Sequence, residues 1–470
     1  YTWYYNSNRD FSNSIMSKIE VDAIDKQSGS TLTLGGSGTA VTLASGATQT
    51  GFGREGSVDW QTAIKTGDFT AVNGEGYFIN TTSGIITLTL PSSPSVGDIV
   101  ALKDYANTFD TNNLTIDRNG SNISGVASNA IISTEGQALT LVYGDSTKGW
   151  QSVAASTESD LPKPGFVTAT GGTITTVCTN FKVHTFTGPG TFAVSSAGNT
   201  LGSQTVSYMV VAGGGGGGST HGGGAGAGGF RESKASTDAY TASPLNATSG
   251  PTYNLPVSVQ SYPIVVGGGG AFSPSPGGAL GVNGSDSSFS SITATGGGGG
   301  ARGCSDSTDD GRPGGSGSGS ATGSSGNTVG TIGAGNTPPV SPSQGNNGGT
   351  GSSDNATYRS GGGGGGAAAV GTSGSPPSET ANPGGVGATT SINGTPTARA
   401  GGGGGGSSAS PGIGAGGGGG GGDGGYNNNP SPSRNASTNT GGGGGGSGGS
   451  APDVGGAGGS GIVIIRYKFQ

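Results

Sequence analysis

The sequence predicts an all-β protein whose C-terminal part is a bundle of polyglycine II helices framed by β-strands. Glycine contributes 108 of the 470 residues, and most of these glycines lie after residue 200 in uninterrupted runs. Only 29% of the residues are hydrophobic, which is too few for the core of an ordinary α/β enzyme or helical bundle. The hydrophobic residues that are present mostly alternate with polar ones over short stretches, and this pattern predicts β-strands.

The first two predicted segments are a connector over residues 1–27 and a β shaft over residues 28–56. Apolar residues of the connector recur every four positions, which predicts a short amphipathic helix: Phe11, Ile15, Ile19 and Ala23. The shaft has short alternating stretches around Leu32 and Val41, separated by glycine and serine. Each stretch is too short to bury its apolar face within one chain. We therefore expect three copies to wind around one axis as a trimeric shaft; a flexible linker is the alternative.

Residues 57–155 have the most ordinary composition and predict a small β-sandwich. Turn residues separate short alternating stretches at regular intervals, as they do in sandwiches. The predicted strands are Tyr77–Asn80, Ile85–Leu90, Asp98–Lys103, Asn113–Ile116, Ala130–Ser133, Ala138–Tyr143 and Trp150–Ala154. We expect Trp60 and Trp150 to cover the two ends of the core. Residues 156–165, rich in proline and charge, predict an interdomain linker.

Residues 166–470 form the predicted glycine-rich domain, in which strands lead directly into glycine runs. We expect strands on both sides of the turn Gly188–Gly190. The predicted strands that precede a run are Val206–Val211, Tyr262–Val266 and Ser287–Thr295. The uninterrupted runs are residues 213–218, 267–270, 296–300, 361–366, 401–406, 416–422 and 441–446.

The runs are of similar length and nearly free of other residues, which favours ordered polyglycine II helices over a flexible linker. A helix of this type has three residues per turn and no internal hydrogen bonds, so its N–H and C=O groups must bond to neighbours. Ordering glycine costs more backbone entropy than ordering any other residue. Only a cooperative lattice of many such helices recovers that cost. A larger residue inside the lattice would push its neighbours apart.

The chain closes with the strongest predicted strand of the sequence, residues 461–469. Such an apolar strand is an aggregation hazard unless it is paired. Its expected partners are the strands within residues 166–211, so both ends of the domain should meet with the glycine runs folded between them.

Charge and motifs exclude several classes of function. The net charge is −7, and the 19 Lys and Arg residues do not cluster, so we expect no nucleic acid as a partner. No apolar stretch of about 18 residues occurs, so we expect no membrane insertion. Glycine runs match dinucleotide-binding patterns trivially, and a phosphate-binding Walker motif is missing.

We also expect no enzymatic activity, no metal and no cofactor. His184 and His221 lack neighbouring ligands or a recognisable nucleophile, and His184 lies in a strand pattern that predicts a structural role. The acidic loop that contains Asp306 lacks the spacing of a calcium loop. For Cys178 and Cys304, two buried free thiols are expected, with a disulfide as the alternative.

Loops between the runs are the predicted binding region. They comprise residues 302–313, 327–344, 352–360, 367–400 and 426–440, and we expect them to share one surface. Tyrosine, asparagine, serine and glycine are typical of adaptable recognition loops. The candidate receptor-binding residues are Arg302, Asp306, Asp309, Asp310, Arg312, Tyr358, Arg359, Tyr426, Asn427, Asn428, Asn429 and Arg434. The alternative for each is that it merely closes a turn.

Several motifs resemble bacteriophage tail fibres. TFTGPGTFAV (Thr185–Val194), TVSYMVVAGGGGGG (Thr205–Gly218) and the terminal GGSGIVIIRYKF resemble the glycine-rich domain of these fibres. The stretch from Val58 to Gly84 and GDIVALKDYANTF (Gly97–Phe109) resemble a module of marine cyanophage fibres. The resemblance implies a homotrimeric fibre on the virion. Its N-terminal side would bind baseplate or tail proteins, and its loops between runs would bind a host surface glycan or outer-membrane protein.

Three other functions remain open from the residues alone. The chain could be a structural subunit of an extracellular or cell-surface filament, with the glycine bundle as a spacer. An ice-binding protein would need regular Gly-x-x repeats with threonine or alanine on one face, and the irregular loops disfavour it. A fibre depolymerase would need paired carboxylates in a groove, and the acids near Asp309 are the densest candidates.

Overall fold

The computed structural model describes residues 58–153, 164–273, 280–303, 310–323, 328–353, 358–375, 382–408, 413–426, 434–449 and 454–470. Throughout these residues the protein is all-β, with several sheets and no α-helix, which confirms the predicted fold class. The chain divides into two compact units, Tyr1–Asp59 and Trp60–Gln470. The predicted connector, the predicted trimeric shaft and most of the predicted linker lie outside the described residues.

Residues 58–153 form two sheets that face each other across one hydrophobic core. The strands are β1 (Asp59–Trp60), β2 (Phe69–Thr70), β3 (Glu75–Ile79), β4 (Ile86–Thr89), β5 (Ile99–Asp104), β6 (Leu114–Asp117), β7 (Ala130–Ile132), β8 (Ala138–Asp145) and β9 (Gly149–Ser152). One sheet has the order β1-β3-β5-β8-β9 and the other the order β2-β4-β6-β7. The predicted strands correspond to β3 to β9, and their ends differ by two residues or fewer.

The pairing of these strands differs from that of a purely antiparallel sandwich. From β2 to β6, successive strands alternate between the two sheets, and neighbours within each sheet are parallel. The chain therefore coils through this region, and β7, β8 and β9 then join by antiparallel pairing. Alternation predicts where strands lie but not their direction, because the side-chain period is two in both arrangements.

The two tryptophans of this region have different environments. Trp150 is fully buried in the core and its ring lies 5.6 Å from that of Tyr143. Trp60 is 41% exposed, so the expectation that it covers one end of the core is wrong. Its indole instead lies over Gly76, where an added Cβ would approach the ring to 2.9 Å.

The glycine-rich region begins with two sheets that we call the first and second frame sheets. Its strands are β10 (Val167–Thr170), β11 (Thr173–Val177), β12 (Phe181–Phe186), β13 (Gly190–Ala197), β14 (Thr205–Val211), β15 (Phe230–Ser233), β16 (Leu255–Pro256), β17 (Ser261–Val265), β18 (Ser287–Phe289), β19 (Ile292–Ala294), β20 (Ser352–Ser353), β21 (Arg359–Ser360), β22 (Ala388–Thr390), β23 (Thr397–Arg399) and β24 (Ile462–Lys468). The first frame sheet has the order β10-β13-β17-β18-β19. The second has the order β11-β12-β24-β14-β15, with β16 also paired to β14.

The C-terminal strand β24 lies at the centre of the second frame sheet, between β12 and β14 and antiparallel to both. This confirms the predicted pairing of the chain end with the early strands. Both faces of the sheet are covered. Tyr208 and Ile465 pack toward the first frame sheet, while Met209 and Ile464 pack against the opposite core. Burial on both faces explains why β14 and β24 are nearly continuous apolar stretches.

One of two predicted regions is as expected and the other differs. Strands lie on both sides of Gly188–Gly190 as expected; they are β12 and β13, which belong to different frame sheets. Ser287–Thr295, predicted as one strand, is the hairpin β18–β19. Ser290 at its turn has a φ of 54°, a conformation that is uncommon for residues other than glycine.

Hydrogen bonds between the glycine runs repeat every three residues, as polyglycine II requires. Within run 213–218, Gly213 and Gly216 donate to residues 285 and 282 of a returning run. The other donors of the run follow the same rule: Gly214 and Gly217 bond to residues 459 and 456, and Gly215 and Gly218 to residues 226 and 223. The partner thus changes at each residue and recurs one turn later, which confirms the predicted helix type.

The runs form a hexagonal lattice. Run 213–218 donates to the three antiparallel runs named above, and its carbonyls accept from three parallel runs at residues 270–273, 297–300 and 444–447. Runs with such neighbours on all sides are 213–218, 222–229, 314–322, 361–366, 401–406 and 442–447. A Cβ at Gly214 would overlap the carbonyl oxygen of Gly442. This close approach explains why this position of the lattice needs glycine, whereas other interior positions hold small residues such as Ala225 and Ser318.

The direction of each run sorts the turns into two groups. Outward runs leave the frame sheets, as 213–218 leaves β14, and return runs come back, as 454–461 returns to β24. We call the two ends of the bundle the sheet end and the distal end. The predicted loops therefore do not share one surface, because residues 336–344 and 388–400 lie at the sheet end. The run 416–422 also turns at the sheet end, at residues 418–420, and is not one helix.

Candidate functional site

The distal end of the bundle is formed by the last residues of the outward runs and the first residues of the return runs. Described residues at this end include Ser219, Ser273, Gly303, Thr322, Ser353, Tyr358, Ser408, Tyr426 and Gly449. The domain is entered at the opposite end, where the Ala169 N–H donates to the Tyr467 hydroxyl at 3.2 Å. Tyr467 lies near the end of β24 that is remote from the bundle. The distal end therefore lies far from the point where the chain enters.

A layer of buried hydroxyl groups underlies the distal turns, and we call it the hydroxyl layer. Its members are Ser219, Ser273, Ser320, Thr322, Ser352, Ser360, Ser407 and Ser447, all of them buried. The Ser447 Oγ accepts from the Thr220 N–H at 3.0 Å, and the Ser320 Oγ accepts from the Gly351 N–H at 2.9 Å. These two hydroxyls accept from backbone N–H groups of the distal turns, at the point where the glycine lattice ends.

Two predicted binding residues from distant parts of the sequence, Arg359 and Tyr426, are connected at the distal end through Ser407 and Ser408. Arg359 and Ser408 exchange two hydrogen bonds: the Ser408 N–H donates to the Arg359 carbonyl, and the Arg359 N–H donates to the Ser408 Oγ, both at 2.8 Å. Ser407 in turn bridges Ser360 and Tyr426. Arg359 and Tyr426 are therefore joined through one short segment, and both are half-buried.

The remaining predicted residues have varied positions. Arg302 and Tyr358 are half-buried at the distal end. Asp310 and Arg312 begin a return run on the side of the bundle, where the Arg312 N–H reaches the Gly299 carbonyl. The other five predicted residues lie outside the described residues: Asp306, Asp309, Asn427, Asn428 and Asn429.

Arg434 is buried at the distal end, with 5% of its surface exposed. Its guanidinium lies over Gly425 and donates to the Val454 carbonyl. Its own carbonyl accepts from the Gly445 N–H. These contacts favour a role in holding three runs together over direct contact with a ligand.

Sequence reasoning missed a group of buried charges at the sheet end, which we call the buried charge cluster. It consists of Glu232, Asp238, Arg399 and Arg466, which are between 2% and 7% exposed. The Arg466 Nε lies 3.0 Å from the Asp238 Oδ2. The available signal was Arg466 itself, a single charge in the centre of an apolar strand, which must be paired when the strand is buried.

The cluster connects β24 to two long segments at the sheet end. The Glu232 carboxylate accepts from the Thr390 hydroxyl at 2.5 Å and from the Ser243 N–H at 2.9 Å. Burial raises the pKa of the Tyr240 hydroxyl above its usual range, and the nearby Glu232 raises it further. Burial also lowers the pKa of Arg399, which Glu232 opposes. The two carboxylates and two guanidinium groups of the cluster are equal in number, and their contacts indicate a structural role.

His184 has the structural role that its strand pattern predicts. Its Nδ1 lies 2.7 Å from the Gly171 carbonyl and its Nε2 lies 3.0 Å from the Tyr467 hydroxyl. Burial lowers the pKa of the imidazole, and the hydrogen bond to Gly171 offsets only part of this effect. Cys178 is free but exposed at the β11–β12 turn, so the expectation of a buried thiol there is wrong. Cys304 lies outside the described residues.

In the described residues no group of three or more histidine, cysteine, aspartate or glutamate side chains is arranged to hold a metal ion. Within the same part of the chain, no helix is both long and apolar enough to span a membrane.

The fold therefore defines a class: a β-framed polyglycine II bundle with its entry and its distal turns at opposite ends. A family model described as a glycine-rich domain matches residues 187–468, which is more than half of the chain. The chain belongs to this glycine-rich domain family. No curated protein is significantly similar to it.

Proposed function

We propose that the protein is a non-enzymatic tail-fibre adhesin that attaches a bacteriophage to its host through the distal end of the glycine bundle. The observation that carries the proposal is the placement of the distal turns. They lie on a rigid lattice, at the end opposite to the point where the chain enters the domain. Recognition loops held by a rigid scaffold are a common binding architecture.

The partners in this proposal come from the resemblance of the sequence to tail fibres. The fibre would be a homotrimer on the virion, held to baseplate or tail proteins by its N-terminal side. Its receptor would be a surface glycan or an outer-membrane protein of a cyanobacterial host. Three copies per fibre and several fibres per particle would give avidity, so each distal end needs only modest affinity.

Cell binding by the full chain tests the proposal. We expect the labelled protein to bind some candidate cyanobacterial strains and not others. Replacing Tyr358, Arg359 and Tyr426 together by alanine should reduce this binding at least tenfold. The matched control replaces Arg231 and Tyr253, half-buried residues at the sheet end, and should bind like the unmodified chain.

Two results would contradict the adhesin. One is equal binding by the distal and the control variants, which would move the receptor site away from the distal end. The other is a correctly folded chain that binds none of the strains. That second result would favour the alternative of a filament subunit, in which the lattice serves as a spacer.

A further inference from the structure

The strand that completes the second frame sheet, β24, follows all of the glycine runs in the sequence. β24 pairs with β12 through residues Val463 to Lys468 and with β14 through residues Ile462 to Arg466. β12 and β14 lie near the start of the domain in the sequence and do not pair with each other. Without β24, each would present an unpaired backbone edge to a gap between them. The second frame sheet therefore cannot close before β24 is present.

β24 also brings the charge that balances the sheet-end carboxylates. The Arg466 guanidinium lies 4.4 Å from the Phe181 ring centre and 5.2 Å from that of Tyr240. It pairs with Asp238 and donates to the Ile392 carbonyl at 3.2 Å. Asp238 in turn accepts from the Ser207 hydroxyl of β14 at 2.9 Å. One side chain of the last strand thus joins β12, β14 and two sheet-end segments.

We propose that β24 is a completion switch: the frame and the glycine bundle become ordered only when β24 enters between β12 and β14 and Arg466 pairs with Asp238. Two costs make the incomplete chain unstable. Glycine loses more backbone entropy on ordering than any other residue, so the lattice needs an intact frame to align its runs. Burying Asp238 without its partner leaves an uncompensated charge, which is strongly destabilising.

Truncation of the full chain tests the switch. A chain that ends at Ser460 lacks β24, whereas a chain that ends at Lys468 retains it and serves as the matched control. We expect the control to resist trypsin and unfold on heating like the full chain. The shorter chain should lose protease resistance after residue 164. Its region 58–153, which has a core of its own, should stay resistant and report that the chain is otherwise intact. A shorter chain that retains full resistance overturns the proposal.

Adding β24 as a separate peptide distinguishes a completion switch from a general loss of stability caused by the truncation. A peptide of residues 461–470 should restore protease resistance to the chain that ends at Ser460. An R466M peptide should need at least a tenfold higher concentration, whereas a K468M peptide should act like the natural one, because the Lys468 side chain is half-buried outside the cluster. Failure of the natural peptide to restore resistance overturns the switch. Equal action of the R466M peptide overturns the role of Arg466.

A pair of full-length variants provides a measurement that does not depend on peptide solubility. Arg466→Met alone should lower the unfolding temperature more than Arg466→Met combined with Asp238→Asn, since the second change removes the uncompensated charge. A double variant that is less stable than the single one contradicts the pairing of these two groups as the basis of the switch.

Discussion

At the scale of single residues, the glycines of the lattice differ in how much room surrounds them. A Cβ at Gly214 would overlap the Gly442 carbonyl, whereas one at Gly268 would meet nothing within 4 Å. We expect Gly214→Ala to cost about 1–3 kcal/mol or more, since overpacking forces the backbone to move. Gly268→Ala is the control and should leave stability within about 0.5 kcal/mol. Denaturant unfolding of the two variants checks this, and equal losses would contradict close packing at Gly214.

His184 predicts a pH dependence of stability. Its pKa in the folded protein is lowered by burial, so the unfolded chain binds the proton more readily. The neutral imidazole contributes its full stability above the unfolded pKa of about 6.5, and this stability decreases as the pH falls below that value. The slope is at most about 1.4 kcal/mol per pH unit.

The variant His184→Phe isolates this effect. As the pH falls from about 7.5 to about 5.5, the natural protein should lose unfolding free energy relative to the variant. Carboxylates titrate mostly below this range and so contribute little to the change. Chemical unfolding at several pH values measures the difference. A difference that stays constant across this range would show that His184 does not titrate on unfolding in the expected way.

At the scale of elements, β24 should be sensitive on both of its faces. Ile464 and Ile465 point into different cores and are at most 1% exposed. Replacing either by alanine should cost about 2–5 kcal/mol, as for other buried isoleucines. Ile174 on the edge strand β11 is 43% exposed and is the matched control, with an expected cost near 0.5 kcal/mol. Tolerance on one face of β24 would contradict burial of the sheet on both sides.

The sequence alone predicted the position of those strands that a local pattern of apolar residues determines. Alternation located β3 to β9, and the apolar stretch at the chain end identified β24. The hairpin β18–β19 was missed because its turn, Ser290–Ser291, lacks the glycine or asparagine that a two-residue hairpin turn with positive φ favours. The coiling from β2 to β6 was missed because pairing direction depends on distant neighbours.

The candidate site was less predictable because it depends on the direction of every run. Loops that look alike in the sequence lie at opposite ends of the bundle, and only the hydrogen bonds between runs reveal which end. The contact of Arg359 with Ser408 and the pairing of Asp238 with Arg466 both join residues far apart in the chain. No local pattern encodes such pairs.

At the scale of the whole domain, the lattice predicts graded protection of backbone amides. Run 222–229 is surrounded by other runs, whereas run 268–273 lies at the perimeter with an exposed side. Amide exchange in 222–229 should therefore require opening of the whole bundle, whereas 268–273 should exchange through local opening. Hydrogen–deuterium exchange of the full chain measures both. Equal rates in the two runs would contradict a cooperative lattice.

The hexagonal arrangement has a mechanical consequence. Every run is bonded sideways to its neighbours and to nothing within itself, so a force along the axis acts on the lateral bonds in shear. Those bonds share the load at once across many runs instead of opening in sequence from one end. A bundle only a few residues tall should thus be stiff along its axis, while a peeling force on a single perimeter run would meet few bonds at a time.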